Sequence, residues 1–240
     1  MRLLSLLFVF AVSLPAQEAP PLQDWIQEAI QAGGGVVTVP DGVHTLAEPL
    51  VIENAKKLAL RGMGREGCVL RLARPGPAIL EIRGDCEAVE LAGLTLQGGG
   101  VRIMGGKDIQ VRDSLFENTG GPGVEFLGVT ESGVQRCSFR DGSGPALRVG
   151  PGSQKIELRG NPIARCGIGI ELEQATACVV VGNEIRGGQT AVRVVAGETA
   201  PKHRLSDNGF YDIKGEAVSL QPPTTDIEQS GNETLPATGS

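Results

Sequence analysis

Six short segments of this chain place a charged residue between two apolar residues, and the sign of the charge alternates from one segment to the next. The charged residues are Glu81, Arg102, Glu125, Arg148, Glu171 and Arg193. They follow one another at intervals of 21, 23, 23, 23 and 22 residues, and a seventh segment, centred on Ser219, comes 26 residues later. Spacing of this kind is typical of a solenoid with one coil per repeat. Within each segment the alternation predicts a strand with apolar side chains inward and the charge outward.

The repeats also predict how the coils stack. Strands of successive coils lie about 4.8 Å apart, so each carboxylate of the series is expected between two guanidinium groups. Two further short apolar segments recur in each repeat, which predicts three strands and three turns per coil. One corner position carries Asn161, Asn183 and Asn208 in successive repeats. Asparagine tolerates left-handed backbone angles and its amide can bond to copies above and below, so these residues predict a hydrogen-bonded ladder.

Composition agrees with a solenoid and restricts the classes of partner. Only 3% of the residues are aromatic while 35 are glycine, which suits stacked aliphatic side chains with tight corners. A net charge of −6 argues against nucleic acid or an anionic membrane as a partner. It leaves an acidic polysaccharide open, because a local basic strip can lie on an acidic protein.

The two ends of the chain have their own patterns. A positive start and an apolar run from Leu3 to Val12 predict a signal peptide at 1–16, with Ser13 as the second choice of cleavage site. The run is too short to span a membrane, so a secreted or periplasmic protein without a membrane span is expected. The segment 17–33 predicts a linker and a capping helix that includes Trp25. The coils are expected at 34–223 and a polar tail at 224–240.

Two stretches of sequence carry a family resemblance. The run QEAIQAGGGVVTVPDGVHTLAEPLVI (27–52) resembles the opening of right-handed parallel β-helix proteins of the pectate-lyase-like superfamily. The run GIGIELEQATACVVVGNEIRGG (167–188) resembles the coil repeat of carbohydrate-binding and sugar-hydrolase domains, including NosD-type proteins. The resemblance implies an all-β fold, a single-stranded right-handed parallel β-helix of about seven to eight coils with a short N-terminal capping helix. The catalytic signatures of the superfamily are absent, so no catalytic residue is carried over.

Enzymatic chemistry on the charged face has two forms. Glycoside hydrolysis needs two carboxylates with one held protonated, but an arginine next to each carboxylate favours the ionised form. Uronate lyase chemistry needs a cation and a base, for which Arg148, Glu171 and Glu173 are the candidates. Ca²⁺ is expected only for a lyase, and otherwise no cofactor or metal is expected. Whether the protein is an enzyme stays open, with a lyase ranked before a hydrolase.

Cysteine and histidine add no catalytic signal. Buried free thiols are expected at Cys68, Cys86, Cys137, Cys166 and Cys178, with a Cys68–Cys86 bridge as the alternative. His44 is expected at a surface strand position and His203 in a solvated loop. Small residues precede the charged segments (Gly123, Ala146, Gly169, Ala191 and Ala217), and they are expected on the outward face, where they would leave a flat wall.

Three hypotheses follow from these patterns. The first is an exported β-helix that binds extracellular or cell-wall polysaccharide without strong catalysis, through Arg102, Glu125, Arg148, Glu171 and Arg193. The second is a polysaccharide lyase or glycoside hydrolase with an unrecognised site. The third is a structural or adhesive scaffold that self-associates through its C-terminal coil. The alternating charges also have a structural interpretation, because neutralisation between strands stabilises the stack and sets its register.

Overall fold

A computed structural model of the chain describes residues 21–74, 76–197, 202–221 and 227–235. One helix, α1 (Leu22–Gln31), precedes a parallel β-solenoid of about eight coils, and each full coil has three strands. The strands, in chain order, are β1 (Gly35–Val39), β2 (Gly42–Leu46), β3 (Leu50–Glu53), β4 (Leu58–Gly62), β5 (Cys68–Leu72), β6 (Ala78–Arg83), β7 (Glu87–Ala92), β8 (Thr95–Gln97), β9 (Gly100–Met104), β10 (Lys107–Arg112), β11 (Leu115–Glu117), β12 (Val124–Leu127), β13 (Gly133–Gln135), β14 (Ser138–Arg140), β15 (Pro145–Val149), β16 (Glu157–Arg159), β17 (Pro162–Ala164), β18 (Ile168–Glu173), β19 (Val179–Val181), β20 (Glu184–Arg186), β21 (Thr190–Val195), β22 (His203–Ser206), β23 (Gly209–Tyr211), β24 (Val218–Gln221), β25 (Ile227–Ser230) and β26 (Glu233–Leu235).

Each strand pairs in parallel with the strand three positions further along the chain, which produces three sheets. Sheet A has the order β1-β4-β7-β10-β13-β16-β19-β22-β25, sheet B the order β2-β5-β8-β11-β14-β17-β20-β23-β26, and sheet C the order β3-β6-β9-β12-β15-β18-β21-β24. The predicted fold, an all-β parallel solenoid with a short N-terminal helix, is therefore confirmed. Across the described residues, no helix has the length and apolar character that a membrane span requires.

Most of the interior consists of stacked apolar side chains from successive coils. From β8 to β23, the position in the middle of each sheet B strand is buried and holds Leu96, Phe116, Phe139, Ile163, Ile185 and Phe210. The rings of Phe116 and Phe139 stack with their centroids 4.7 Å apart and their planes 10° apart. Such rows remove apolar surface from water along the whole axis, so the core is continuous from coil to coil.

The asparagine ladder lies at the corner between sheets A and B. The Asn161 Nδ2 donates to Asn183 Oδ1 at 2.9 Å, and the Asn183 Nδ2 donates to Asn208 Oδ1 at 3.0 Å. The same contact continues from Asn208 to Asn232 at 2.9 Å. Each Oδ1 also accepts a backbone N–H from the preceding coil, for example that of Cys137 at 2.9 Å from Asn161. The predicted ladder is confirmed, and it is one coil longer than expected.

The helix α1 closes the N-terminal end of the solenoid. Leu22 and Ile26 are buried against the first coil, and Trp25 packs partly buried beside them, as predicted for a cap. The Gln23 side chain bonds both backbone groups of Val51, because its Nε2 donates to the carbonyl at 2.9 Å and its Oε1 accepts the N–H at 2.8 Å. The cap therefore satisfies part of the open edge of β3 as well as covering the core.

The C-terminal boundary differs from the prediction. Strands β25 and β26 pair with β22 and β23, so the expectation of a polar tail outside the coils is wrong for 227–235. The polar composition predicts a tail, but backbone pairing and the side-chain amide of Asn232 hold this segment in the solenoid. Neither of these interactions needs an apolar side chain. Residues 224–226 and 236–240 lie outside the described residues, as does the predicted signal peptide at 1–16.

Both predictions for histidine are wrong. His44 is buried on β2, where its Nε2 donates to the carbonyl oxygen of Pro40 at 2.7 Å. His203 is only 1% exposed, and its Nδ1 accepts the backbone N–H of Cys178 at 3.2 Å. Both residues occupy inward positions, in register with Leu70 and Ile227 respectively. Burial lowers the pKa of His203 to about 4, so the imidazole is neutral at neutral pH.

The cysteines behave as the sequence predicts. All five are buried free thiols, so the alternative of a Cys68–Cys86 bridge is not formed. Burial raises the pKa of Cys137 and of Cys178 to about 12, which keeps both thiols protonated and unreactive.

Candidate functional site

The alternating charges lie in one straight row on the outer face of sheet C, which we call the charge ladder. Strand pairing aligns Glu81, Arg102, Glu125, Arg148, Glu171 and Arg193 as direct neighbours. The structure therefore brings together all five residues that the sequence proposes for carbohydrate binding. Glu173 lies two residues further along β18, on the same face.

Glu125 lies between two guanidinium groups, as predicted. The Arg102 Nε donates to Glu125 Oε2 at 2.7 Å, and the Arg148 Nη1 donates to Oε1. At the N-terminal end of the ladder, the nearest cation of Glu81 is Arg83 of its own strand, at 4.0 Å. The regular alternation of ion pairs thus begins at Arg102.

Arg148 occupies the centre of the network. Besides Glu125, it contacts Glu171 Oε2 through Nε at 3.4 Å and donates to Glu173 Oε2 through Nη2. Burial by itself lowers the pKa of Arg148, but the hydrogen bonds that it donates to Glu173 and Glu125 reverse this and raise its pKa above the usual value. Arg193 completes the row, because its Nε donates to Glu171 Oε1 at 2.8 Å.

The two signs of charge differ in their exposure. The carboxylate side chains of Glu125 and Glu171 are 6% and 8% exposed, whereas the side chains of Arg102, Arg148 and Arg193 are 28% to 36% exposed. The shorter glutamates lie beneath the longer arginines, which cover them. Between Arg102 and Arg193, solvent therefore contacts the arginine side chains of the row more than the two glutamates between them.

The small residues before the charged segments lie on the other side of the strand from the one expected. Ala146 and Ala191 are buried in the core, and a Cβ atom on Gly123 would lie 2.6 Å from a ring carbon of Phe139. The expectation of an outward position is therefore wrong for these residues. They are small because they point into the narrow corner between sheets B and C.

This arrangement limits the chemistry of the ladder. Arg148, Glu171 and Glu173, the catalytic candidates, do meet, but they meet as one ion-pair network. A general acid needs a carboxyl that holds its proton, and an adjacent guanidinium favours the opposite state. Within the described ranges, no group of three or more His, Cys, Asp or Glu side chains is placed to hold a metal ion. The ladder is suited to donating hydrogen bonds from its arginines.

A second row of outward residues runs along sheet B. Strand pairing aligns Glu117, Arg140, Ala164, Arg186 and Tyr211. Arg140 donates to Glu117 through Nη2, and the guanidinium carbon of Arg186 lies 4.8 Å from the centroid of the Tyr211 ring. Ala164 separates these two pairs and bonds to neither.

A loop from the second coil covers part of this row. The corner Met63–Gly67, between β4 and β5, has five residues, whereas each other corner between sheets A and B has two. Its Arg65 donates through Nη1 to Ser138 Oγ at 3.0 Å, and its carbonyl accepts the hydroxyl of Thr95. The loop and sheet B enclose a depression of about 400 Å³, which we call the sheet B depression; Arg65, Arg140, Pro162, Ala164 and Arg186 are among its lining residues.

Sequence reasoning missed the sheet B depression. Two signals were available: the longer corner in the run GMGREGC, and the alanine that interrupts a row of charges at the coil spacing. The first becomes visible only when corner lengths are compared across coils, and the second only when the third strand of each coil is aligned.

Comparison with known proteins agrees with this geometry. Residues 79–232 match the family model described as right handed beta helix region. Among solved structures, an alginate lyase from Paenibacillus sp. str. FPU-7 superposes with a TM-score of 0.71 at 14% identity, over 90% of this chain and 94% of that one. The Agl-KA catalytic domain gives 0.66 at 14% identity, over 91% of this chain and 51% of that one. The surface protein and adhesin PfbA of Streptococcus pneumoniae gives 0.55 at 11% identity, over 88% and 81%.

Identities this low show a common fold and nothing more about activity. Among curated proteins, no sequence matches this chain. The family model covers most of the coils that the structure describes, and the coils themselves are parallel with three strands each. The chain therefore belongs to the right-handed β-helix family.

Proposed function

We propose that this protein is an exported β-helix that binds extracellular or cell-wall polysaccharide along the charge ladder, without strong catalysis. The observation that carries the proposal is the difference in exposure along the ladder. The side chains of Arg102, Arg148 and Arg193 stay partly exposed, while those of Glu125 and Glu171 between them are buried. A polysaccharide along the solenoid axis would therefore meet a row of hydrogen-bond donors.

The spacing of these donors suits an extended chain. Successive arginines of the ladder are two coils apart, which corresponds to about 9.6 Å at the usual strand spacing. That separation is comparable with the length of a disaccharide unit. The guanidinium fork binds carboxylate oxygens bidentately and hydroxyl oxygens singly, so both acidic and neutral sugars can contact it.

Catalysis is less well supported than binding. A lyase would need Arg148 to neutralise the substrate carboxylate, yet Arg148 already contacts Glu125, Glu171 and Glu173. The similar folds include both an alginate lyase and an adhesin, so the β-helix itself is compatible with either role. The two depressions described on the surface, one against sheet B and one at the corner Met63–Gly67, are not lined by ladder residues, and catalytic sites are usually concave.

A glycan array followed by titration tests the proposal. Arg193→Gln removes one exposed guanidinium at the end of the network, and Arg148→Gln removes the central one. We expect the dissociation constant for the best glycan to rise about tenfold or more in each variant, as for loss of a charge-assisted contact. Arg159→Gln, on an exposed arginine outside sheet C, is the matched control and should leave the constant unchanged.

Other outcomes would favour the alternatives. Unchanged binding in both ladder variants would contradict the proposed face. Release of unsaturated, ultraviolet-absorbing products from uronate polymers would establish a lyase. No binding across broad panels, together with concentration-dependent association in sedimentation, would favour the scaffold that pairs through its C-terminal coil.

Export has a direct test. Expression with the native N-terminus should give a secreted or periplasmic protein whose N-terminal sequence starts at Gln17, after removal of 1–16. Retention of the full-length chain in the cytoplasm would contradict this part of the proposal.

A further inference from the structure

We propose that the sheet B depression is a separate binding site for the carboxylate group of an acidic sugar residue, held between Arg140 and Arg186. The proposal does not rest on the charge ladder, which lies on another sheet. It rests on an interrupted row of charges, a loop that closes one side of the gap, and an apolar floor.

The interruption leaves a gap between two cations. Arg140 and Arg186 are two strands apart, about 9.6 Å along the axis, and the residue between them is Ala164. In the charge ladder the equivalent place between two arginines holds Glu125 or Glu171. A ligand carboxylate in the gap would therefore occupy the position that a protein carboxylate takes on sheet C.

The loop supplies a third cation and a wall. Arg65 is exposed, and it is held over the row by its bond to Ser138 and by the bond of its carbonyl to Thr95. A guanidinium has five N–H donors, so one bond to a hydroxyl leaves Arg65 able to donate to a ligand. The longer corner thus places a donor where the two-residue corners cannot reach.

The acidic groups around the depression set the charge that the ligand meets. Arg140 is paired with Glu117, and Arg186 Nη1 lies 3.5 Å from Asp212. Glu66 and Glu184 are exposed and line the depression together with the arginines. The lining is therefore mixed in charge, which suits a ligand that carries hydroxyl groups as well as one negative charge.

The floor favours a sugar ring over a bare anion. Leu115, Pro162 and Ala164 line the depression with apolar surface, and the ring of Tyr211, outside the lining itself, packs against the guanidinium of Arg186. Apolar surface beside polar groups is the usual composition of small-ligand sites, and it matches the C–H face of a pyranose ring. A uronate residue within a glycan combines this face with a carboxylate.

The single tyrosine of the chain gives this site its own reporter. Tyr211 is the only tyrosine, so ring-labelled tyrosine yields one set of NMR signals, next to Arg186 and remote from sheet C. The probes are a uronate hexasaccharide, the same hexasaccharide with its carboxyl groups reduced, and inorganic sulfate. We expect saturable shifts with the uronate, and binding weaker by about tenfold or more with the reduced sugar and with sulfate.

Two substitutions at one position separate charge from size. Ala164→Glu would place a carboxylate in the gap, pair it with both arginines, and weaken uronate binding about tenfold or more. Ala164→Gln is matched in size, and we expect at least about threefold tighter binding than in Ala164→Glu, because only the charge differs. The Arg148→Gln variant, altered on the charge ladder, should bind the uronate at Tyr211 as the wild-type protein does.

Three results would overturn the proposal. The first is that the wild-type protein and Ala164→Glu bind the uronate with equal affinity, and the second is that Ala164→Glu and Ala164→Gln do so. The third is that sulfate, or the hexasaccharide with reduced carboxyl groups, binds as tightly as the uronate. In the wild-type protein, saturable shifts at Tyr211 without any glycan binding that depends on Arg148 or Arg193 would contradict the proposed function alone. Glycan binding that depends on those arginines, without shifts at Tyr211, would contradict this site alone.

Discussion

The outer faces of sheets C and B are built in the same way and behave differently. Each carries a row of outward residues to which successive coils contribute, in register from strand to strand. On sheet C the signs alternate without a break from Arg102 to Arg193, so each charge forms an ion pair with a neighbour in the same row. On sheet B the row is interrupted at Ala164, which leaves Arg140 and Arg186 without a carboxylate between them.

The faces also differ in how far water reaches the ion pairs. On sheet C the side chains of Glu125 and Arg148 are 6% and 28% exposed, whereas those of Glu117 and Arg140 on sheet B are 13% and 52% exposed. A less hydrated ion pair interacts more strongly, and removing one of its two partners lowers the free energy of unfolding by more than at an exposed pair. The comparison suggests that an unbroken alternation stabilises the fold, while an interruption leaves charge for a ligand.

The largest expected difference between the faces comes from placing a glutamate in each. Arg148→Glu would place one further carboxylate between Glu125 and Glu171, beside Glu173, and we expect the free energy of unfolding to fall by about 3 kcal/mol or more. Ala164→Glu should change it by no more than about 0.5 kcal/mol, since the new carboxylate lies between two arginines. Urea unfolding measures both, and equal losses would contradict the comparison.

A second prediction uses pH to separate the core from both faces. The unfolded chain protonates His203 near pH 6.5, but the buried imidazole resists protonation until about pH 4. The unfolded state therefore binds more protons in this window, so stability is full above about pH 6.5 and falls as the pH drops towards 4. At 1.36 kcal/mol per unit, the loss over the window is about 3 kcal/mol.

His203→Asn should remove that dependence. An asparagine oxygen can accept the N–H of Cys178, as Asn161 does for Cys137 in the neighbouring corner. Asp113 and Asp141 contribute only below this window, because hydrogen bonds from Arg136 and Arg165 lower their pKa values from the usual 3.8 and their stabilising effect is lost below it. Unfolding that stays equally pH-dependent between 6.5 and 4 in the variant would exclude His203 as the cause.

The third prediction compares one ion pair from each face. A double-mutant cycle on Glu125 and Arg148 should give a coupling free energy of about 1 to 2 kcal/mol, reduced from that of a fully buried pair because Arg148 is partly solvated. The same cycle on Glu117 and Arg140 should give less than about 1 kcal/mol. Added salt should weaken the sheet B pair more, and a reversed order would refute the difference in screening.

The smallest expected effect concerns Tyr211. Replacing it with leucine keeps an apolar side chain but removes the ring beneath Arg186, and we expect a loss of about 0.5 kcal/mol from the cation–π contact. Arg186→Gln in the same background should then add little, which thermal unfolding can detect as non-additivity. Additive losses would mean that the two side chains do not interact in solution.

The aligned repeats predict much of the architecture and little of the surface. The coil length, the three strands per coil, the asparagine ladder and the cap around Trp25 all follow from local periodicity, and each is present. The side chains of the segment 227–235 lack apolar periodicity, which predicts a tail, although backbone pairing is sufficient to hold this segment in the solenoid. Apolar alternation reports burial and says little about strands that pair chiefly through the backbone.

The solenoid, the register of its charges and the sign at each rung follow from residue spacing along the chain. Which charges are covered, the inward direction of Gly123 and His203, and the position of Arg65 over sheet B become apparent only in the packed coils. Those outcomes depend on side-chain length, corner geometry and contacts between distant coils, such as the one between Arg65 and Ser138, 73 residues apart. A sequence repeat predicts the position of each residue within its coil, whereas surface features formed by several coils appear only when the coils pack together.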